Sequence, residues 1–116
     1  MLNQLVLVGR LVREPELKET ETGKKVTNIT LAVPRNYKNA EGVYDTDFID
    51  CTLWSNVAET TTEYCHKGDL LGVRGRIQTR MIEKEEEKAR QVTEVIGERV
   101  TFLSSGHKTK AKEKEE

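Results

Sequence analysis

Two aromatic side chains lie on the polar side of an alternating segment near the middle of the sequence. The segment DFIDCTLWSNVAE, residues 47–59, holds the only tryptophan of the chain. Because successive side chains of a β-strand point to opposite faces, this segment has one aliphatic face and one mixed face. The aliphatic face carries Ile49, Cys51 and Leu53. The mixed face carries Phe48, Asp50, Thr52 and Trp54, so it exposes large rings that can stack on flat partners.

A second alternating segment, DLLGVRGRIQTR at residues 69–80, places cations along one face. That face carries Arg74, Arg76, Gln78 and Arg80, and the aliphatic face carries Leu71, Val73 and Ile77. Rings interleaved with cations form the usual surface for single-stranded nucleic acid. The bases stack on the rings for about 1–3 kcal/mol each and the cations follow the phosphates. The two segments together therefore predict such a surface.

Structural roles stay open for the same residues. Trp54 could pack under the polar segment 36–45 or line a subunit interface, and Phe48 could be a core residue. The arginines could form a solvated face in ion pairs with the many glutamates. Recognition of a duplex is disfavoured, because the one predicted helix carries Glu59 and Glu63 and no basic arm is present.

The composition indicates a single domain without a catalytic centre. The chain has 116 residues and a formal net charge of −1, and this length suits one core. No apolar run reaches the roughly 20 residues that span a bilayer, and the N-terminus lacks signal-peptide features. Cys51 and Cys65 have no metal-ligand spacing and are expected to be reduced packing residues. No catalytic motif occurs, so we expect a cytoplasmic protein that is not an enzyme and needs no cofactor or metal.

The order of the predicted elements favours an all-β barrel with one short helix. Five strands are predicted over 2–13, 26–35, the first part of 47–59, 69–80 and 91–103. The helix falls between the third and fourth strands, which is the order of a five-stranded OB-fold barrel. We interpret segment 36–45 and the charged segment after residue 80 as loops, and residues 104–116 as a disordered polar tail.

Local signals predict where these elements begin and end. Asn56 with Glu59 suits a capping box at the helix start, and Gly68 suits its stop. Pro34 is expected at the end of the second strand, because proline cannot donate to a ladder. The predicted core stripe of the helix consists of Val57, Ala58, Thr61, Tyr64 and Cys65.

Five segments carry a family resemblance: MLNQLVLVGRLVREPEL, NITLAV, DFIDCTLW, AETTTEYCHKGDLLGVRGRIQTR and VTEV. Together they resemble the bacterial-type single-stranded DNA-binding protein, from Met1 to about Leu103. The resemblance implies an OB-fold domain over 1–103 that binds single-stranded DNA without sequence specificity in replication, recombination or repair. It also implies a homotetramer, built as a dimer of dimers through NQLVLVGR, in the cytoplasm and associated with the nucleoid.

The resemblance also implies roles for individual residues. The stacking rings fall on Tyr37, Phe48 and Trp54, which agrees with the alternation of residues 47–54. The phosphate contacts fall on Arg10, Arg35, Lys67, Arg74, Arg76 and Arg80.

Three features depart from the family pattern. Ile82 stands where the family usually has an aromatic residue, and the acidic loop 83–88 that follows should repel phosphate. The chain ends HKTKAKEKEE without the family's apolar-capped acidic tip, so we expect it to recruit replication and repair proteins weakly. Two alternatives remain: a primosome-like dimeric OB protein, and a protein-interaction scaffold with incidental DNA binding.

Overall fold

Strands dominate the described part of the chain. The computed structural model describes residues 1–84 and 87–106. Its strands are β1 (Leu5–Leu11), β2 (Lys18–Glu19), β3 (Lys25–Lys38), β4 (Tyr44–Trp54), β5 (Leu70–Lys84) and β6 (Glu87–Ser104). The one helix of these residues, α1 (Ser55–Tyr64), lies between β4 and β5 in the chain.

The five long strands close into a barrel. Their order is β1, β5, β6, β4 and β3, and β3 returns to β1 at the pairs Arg10–Ala32 and Leu11–Leu31. Only β4 and β6 run parallel among the described strands, over residues 51–53 and 95–97. Closure of five strands, with the helix between the third and fourth of them, confirms the predicted OB-fold. The two-residue β2 lies between β1 and β3 in the chain and adds to the edge of β3.

The core fills the inside of the barrel with aliphatic side chains. Its buried members are Leu11, Ile29, Leu31, Cys51, Leu53, Ala58, Cys65, Leu71 and Val73. Burying each large aliphatic side chain contributes about 1.5–3 kcal/mol relative to exposure. Both cysteines are free thiols, as predicted. Burial, with a smaller contribution from the charge of Asp50, raises the pKa of the Cys51 thiol to about 11, so this thiol stays protonated and serves packing.

Close strand contacts depend on two glycines. A Cβ atom on Gly97 of β6 would overlap the side chain of Leu53 and lie 3.1 Å from Val73 Cγ1. A Cβ atom on Gly75 of β5 would overlap the carbonyl oxygen of Ile96. Since these glycines pair with each other, they form the point at which β4, β5 and β6 pack most tightly. The pairing skips one residue of β6 next to them, which gives a β-bulge at this place.

The predicted capping box of the helix is wrong. The helix begins at Ser55 directly after β4, and its N-cap residue, Trp54, makes no side-chain capping hydrogen bond. Asn56 therefore lies inside the first turn, because β4 runs into α1 without a linker. Gly68 does adopt a left-handed φ of 93°, but it lies in the turn that follows the C-cap residue Cys65. Tyr64 was predicted in the core stripe and is 64 % exposed.

Both long hairpins contain more strand than predicted. The strand β3 continues through Pro34 to Lys38, which shortens the predicted loop 36–45 to residues 39–43. Beyond Ala32 this strand pairs only with β4 among the described strands, and an edge position of this kind tolerates proline. Asn39 closes the short turn, since its Oδ1 accepts hydrogen bonds from the backbone N–H groups of Glu41 and Val43 at 2.8 and 3.0 Å.

The segment predicted as an acidic loop is largely part of a β-hairpin. The strands β5 and β6 extend to Lys84 and from Glu87, and these two residues pair; residues 85 and 86 lie outside the described part. At the other end of β6, Gly106 N donates to Asp69 Oδ1 at 2.9 Å. The first residues of the predicted tail are therefore held by the barrel, and residues 107–116 lie outside the described part.

Candidate nucleic-acid interface

The outward face of β4 carries two exposed aromatic rings. Phe48 is 67 % exposed and Trp54 is 39 % exposed, whereas Cys51 and Leu53 on the inward face are buried. The predicted alternation is therefore confirmed, and Phe48 is not a core residue. Trp54 ends β4 at the side away from the 39–43 turn, about 33 Å along an extended strand of this length. It therefore does not pack under that turn.

Two side-chain hydrogen bonds occupy the sheet between the rings. The six residue steps from Phe48 to Trp54 correspond to about 20 Å. Between them, Thr30 Oγ1 donates to Asp50 Oδ1 at 2.6 Å, and Thr52 Oγ1 donates to Asn28 Oδ1 at 3.0 Å. Because these polar groups bond to one another, few of them are free to form hydrogen bonds with a ligand.

The barrel register brings cations to both sides of the aromatic strand. On one side Phe48 pairs with Ala32, which pairs with Arg10 of β1. On the other side Thr52 pairs with Ile96, which pairs with Arg76 of β5. Paired residues project from the same face, and neighbouring strands are about 4.8 Å apart. Each arginine is therefore about 10 Å across the sheet from the aromatic strand.

We call this surface the aromatic–arginine face. Its members are Arg10, Phe48, Trp54, Arg76 and Arg80. They come from β1, β4 and β5, and only the strand pairing brings them together.

The arginines of β5 are joined to carboxylates of β6. Arg80 Nε donates to Glu94 Oε2 at 3.0 Å, and Gln78 Nε2 donates to Glu94 Oε1 at 3.1 Å. Arg76 Nη1 donates to Gln78 Oε1 at 2.7 Å and its Nε donates to Glu98 Oε2 at 3.2 Å. Hydrogen bonds from Arg80 and then Gln78 hold the pKa of Glu94 below its usual value. The side chains of Arg76, Gln78 and Arg80 share one face as predicted, and the alternative that the arginines of this face form ion pairs holds for Arg76 and Arg80.

Arg35 lies on the β3–β4 hairpin and is committed to a carboxylate. Its Nε and Nη2 donate to Asp47 Oδ2 and Oδ1 at 3.1 and 2.9 Å. Asp45 Oδ2 lies 3.8 Å from Arg35 Nη1. The hydrogen bond and charge of Asp47 raise the pKa of Arg35, and the same hydrogen bond lowers the pKa of Asp47. A phosphate at this position would have to displace Asp47.

Tyr37 lies in β3, not in a loop, and is 60 % exposed. The pairing of β3 with β4 skips residues 35–37 between the pairs Pro34–Thr46 and Lys38–Tyr44. Alternation places Tyr37 on the Arg35 side of the hairpin. After the larger effects of Asp47, an electrostatic contribution from the Tyr37 side chain also raises the pKa of Arg35. Tyr37 is therefore on the opposite side of the hairpin from Phe48.

Tyr44 is an aromatic residue that the sequence reasoning missed. It is 54 % exposed and lies on the Phe48 side of β4, because residues 44, 46 and 48 alternate with the inward ones. Lys38 Nζ lies 5.8 Å from the centre of its ring, which is cation–π distance. The period of two that identified Phe48 would have found Tyr44 if the strand had been extended backward.

The other predicted phosphate contacts make no ion pair within the described part of the chain. Arg10 Nη1 donates to the carbonyl oxygen of Gly68 at 2.9 Å, which places it next to the exposed side chain of Lys67. Arg74 lies directly opposite another cation, Arg99, in the β5–β6 register. These three predicted cations are accessible without breaking an ion pair.

The described residues contain no group of three or more His, Cys, Asp or Glu side chains placed to hold a metal ion. No helix formed by them is long and apolar enough to cross a membrane.

The sequence matches the model of a known protein family. The family model described as the single-strand binding protein family matches residues 2–103. The chain belongs to this family. The match runs from before β1 to the penultimate residue of β6, so the family unit is the closed barrel together with α1.

Three relatives illustrate the similarity. Single-stranded DNA-binding protein B of Bacillus subtilis (strain 168) is 49 % identical over 111 residues, which are 96 % of this chain and 98 % of that protein. Single-stranded DNA-binding protein of Halalkalibacterium halodurans is 50 % identical over 103 residues, 89 % of this chain and 61 % of that protein. Single-stranded DNA-binding protein 1 of Staphylococcus aureus (strain Mu50) is 47 % identical over 103 residues, 89 % of this chain and 66 % of that protein. The chain therefore spans nearly all of the first relative and less than two thirds of the other two.

This member of the single-strand binding protein family departs from the expected pattern at Ile82. The residue is half-buried and shares the outward side of β5 with Arg80. It pairs with Arg90 of β6, so the position lies on the paired hairpin and continues the aromatic–arginine face. An aromatic ring there would extend the row of rings onto β5.

Proposed function

We propose that this protein binds single-stranded DNA without sequence preference, as a homotetramer, in replication, recombination or repair. The observation that carries the proposal is the aromatic–arginine face, in which exposed Phe48 and Trp54 are flanked by cations from β1 and β5. The names of the relatives, each a single-stranded DNA-binding protein, support it. The proposed activity is binding alone, without catalysis.

Base stacking supplies the non-specific part of the affinity. Phe48 and Trp54 each stack on one base for about 1–3 kcal/mol, and every base has a face that can stack. Between the rings, the hydroxyls of Thr30 and Thr52 are already bonded to Asp50 and Asn28. Few hydrogen-bonding groups therefore remain to select one base over another. Tyr37 is proposed to stack on the other side of the hairpin, where the strand would have to pass around β3.

Phosphate contacts fall into two groups in this proposal. The cations whose side chains have no carboxylate partner among the described residues, Arg10, Lys67 and Arg74, bind phosphate directly. The paired cations, Arg35, Arg76 and Arg80, must first exchange a carboxylate for a phosphate. The cost of that exchange offsets part of the electrostatic gain, so the second group contributes less per residue.

Self-association is proposed to begin at β1. Its outward side chains Val6 and Val8 are 65 % and 47 % exposed. Over residues 5–9 the strand pairs only with β5 among the described strands, so one edge offers free backbone groups. An exposed apolar strand with a free edge favours pairing with another copy, which supports a dimer that then doubles to a tetramer.

The division of the chain remains as predicted from the sequence. Residues 1–103 are proposed to form the binding and assembly domain, and residues 104–116 a polar tail. Ser104 is the last residue of β6, and Gly106 N donates to Asp69 Oδ1, so the first residues of this tail contact the domain.

Competition between single and double strands tests the proposed function. A fluorescein-labelled thymidine oligonucleotide is bound to the full chain and displaced with unlabelled single strand or with a duplex of equal length, and sedimentation gives the mass. We expect the single strand to displace the label at far lower concentration than the duplex, and a mass of four chains. Equal displacement would favour the scaffold alternative, and a mass of two chains would favour the primosome-like dimer.

A further inference from the structure

Beyond Gly97, one edge of β6 has no strand of the described residues beside it. The parallel pairing with β4 ends at Leu53 and Gly97, because β4 stops at Trp54 and the chain turns into α1. Beyond Gly97, β6 continues to Ser104 and pairs only with β5 among the described residues. Among the described residues, no backbone hydrogen bond joins residues 98–103 to α1. The backbone groups on this edge are therefore free to pair with an added strand.

An apolar groove lies between this edge and α1. Its volume is about 440 Å³, within the range of about 300–1,000 Å³ of typical ligand sites. The helix lines it with Val57, Thr60 and Tyr64, and β6 lines it with Val100 and Phe102. The two rings are 64 % and 51 % exposed. We call this site the α1–β6 groove.

One end of the α1–β6 groove carries a positive charge. Arg99 lines the groove and lies opposite Arg74 in the β5–β6 register; neither makes an ion pair within the described residues. Glu98 also lines the groove, but its carboxylate bonds to Arg76 at 3.2 Å. This end of the groove therefore attracts an anion.

We propose that the α1–β6 groove docks an extended segment of a partner protein, which adds a strand to the free edge of β6. Backbone pairing with β6 provides the affinity, and the groove accepts every second side chain, as in other cases of strand addition. The chemistry of the groove selects apolar side chains at alternate positions. An acidic side chain or terminal carboxylate at one end of the segment pairs with Arg99.

The same features disfavour a nucleic acid as the occupant. A single strand needs cations along its whole path, whereas the groove has a cation at one end only and apolar or uncharged side chains, including the rings of Tyr64 and Phe102, along the rest of its length. The backbone donors and acceptors along a strand edge also repeat at the spacing of another polypeptide strand.

A selection from random octapeptides displayed on phage tests the proposal. The full chain is immobilised, and Thr60→Arg serves as the counter-selection, because Thr60 is exposed in the groove and arginine is a good helix former. The control is Glu59→Arg, at the neighbouring exposed position outside the groove lining. Both variants add positive charge, so only obstruction of the groove lowers affinity for an acidic peptide.

The expected result has three parts. Enriched peptides alternate apolar and polar residues and carry an acidic group at one end. Their affinity, measured by fluorescence anisotropy, falls at least tenfold with Thr60→Arg or with N-methylation of alternate peptide groups, and does not fall with Glu59→Arg. Amide hydrogen exchange slows in residues 98–103 when the peptide is bound.

Three results would overturn the proposal. The first is no enrichment on the native chain relative to Thr60→Arg. The second is protection of residues 5–9 in place of 98–103, which would assign strand addition to β1. The third is protection of residues 98–103 by a thymidine oligonucleotide and not by peptide, which would assign the groove to the nucleic acid. Thermal unfolding of each variant confirms that it is folded, and unchanged affinity for the oligonucleotide shows that the aromatic–arginine face is intact.

Discussion

Arg80 and Glu94 are joined across β5 and β6 by a hydrogen bond of 3.0 Å between Nε and Oε2. Gln78 bonds to the other oxygen of the same carboxylate and to Arg76. One carboxylate therefore orders two arginines that face the same side of the sheet as Trp54. In the proposed function this carboxylate occupies the position of a phosphate, so it competes with the DNA.

Glu94→Gln is expected to tighten binding of single-stranded DNA. The change removes the charge that competes for Arg80 and keeps an acceptor for Gln78. A surface ion pair is worth up to about 1 kcal/mol, so the dissociation constant should fall by at most about fivefold. Anisotropy with a labelled thymidine oligonucleotide measures it. Glu83→Gln, which removes the same charge from an exposed position of β5, is the control. Equal gains in both variants, or weaker binding by Glu94→Gln, would argue against competition by this carboxylate.

Asp47→Asn is expected to lower stability at neutral pH and to lose that effect in acid. The hydrogen bond from Arg35 lowers the pKa of Asp47, so its contribution is present above about pH 3.9, the usual value in an unfolded chain. It disappears as the pH falls through the lowered value, because the native carboxylate is then protonated as well. Urea midpoints of the two proteins between pH 7 and pH 3 should converge. Glu41→Gln, on the same hairpin, should show no such convergence, and a constant difference for Asp47→Asn would refute the linkage.

Thr27→Val is expected to stabilise the fold. Thr27 is fully buried at 0 % exposure, and its hydroxyl has no hydrogen-bond partner among the described residues. An unsatisfied buried polar group costs about 1–3 kcal/mol, and valine keeps the β-branched shape. The free energy of unfolding in urea should rise by about 1 kcal/mol or more. Thr30→Val is the matched control, because the Thr30 hydroxyl donates to Asp50 at 2.6 Å, and it should destabilise. The same sign for both variants would contradict this account.

Ile82→Tyr is expected to add a stacking ring. The position shares the outward side of β5 with Arg80 and continues the aromatic–arginine face. One further stacked base should tighten binding by about 1–3 kcal/mol, as measured by anisotropy with an oligonucleotide long enough to span the hairpin. Ile82→Leu controls for a change of side chain without a ring. If the tyrosine variant binds no better than the leucine variant, the single strand does not follow β5 as far as this residue.

The sequence predicted the faces of strands better than their ends. Alternation correctly assigned Phe48 and Trp54 to the outside and Leu53 to the core, because a strand covered on one side must alternate. The charged segment after residue 80 is interpreted as a loop, but pairing with β6 extends β5 to Lys84. Local charge does not reveal such a long-range pairing.

The ion pairs of the site form between residues that are far apart in the sequence. The partners of Arg76 and Arg80 are 22 and 14 residues away, and one sequence does not show which glutamates meet them. The position of Tyr37 in a strand follows from the pairing that continues β3 to Lys38, which the polar residues of segment 36–45 do not indicate. The helix start was mispredicted for the same reason, since β4 fixes it and not a local capping box.

Tryptophan fluorescence during titration with a thymidine oligonucleotide tests the central claim most directly. The chain has one tryptophan, so the signal reports on Trp54 alone. Stacking predicts strong quenching at low salt that persists in part at high salt, because salt weakens the phosphate contacts much more than the stacking. If anisotropy shows that the oligonucleotide is bound while the fluorescence of Trp54 stays unchanged at low salt, this ring is not a stacking platform and the proposed interface is wrong.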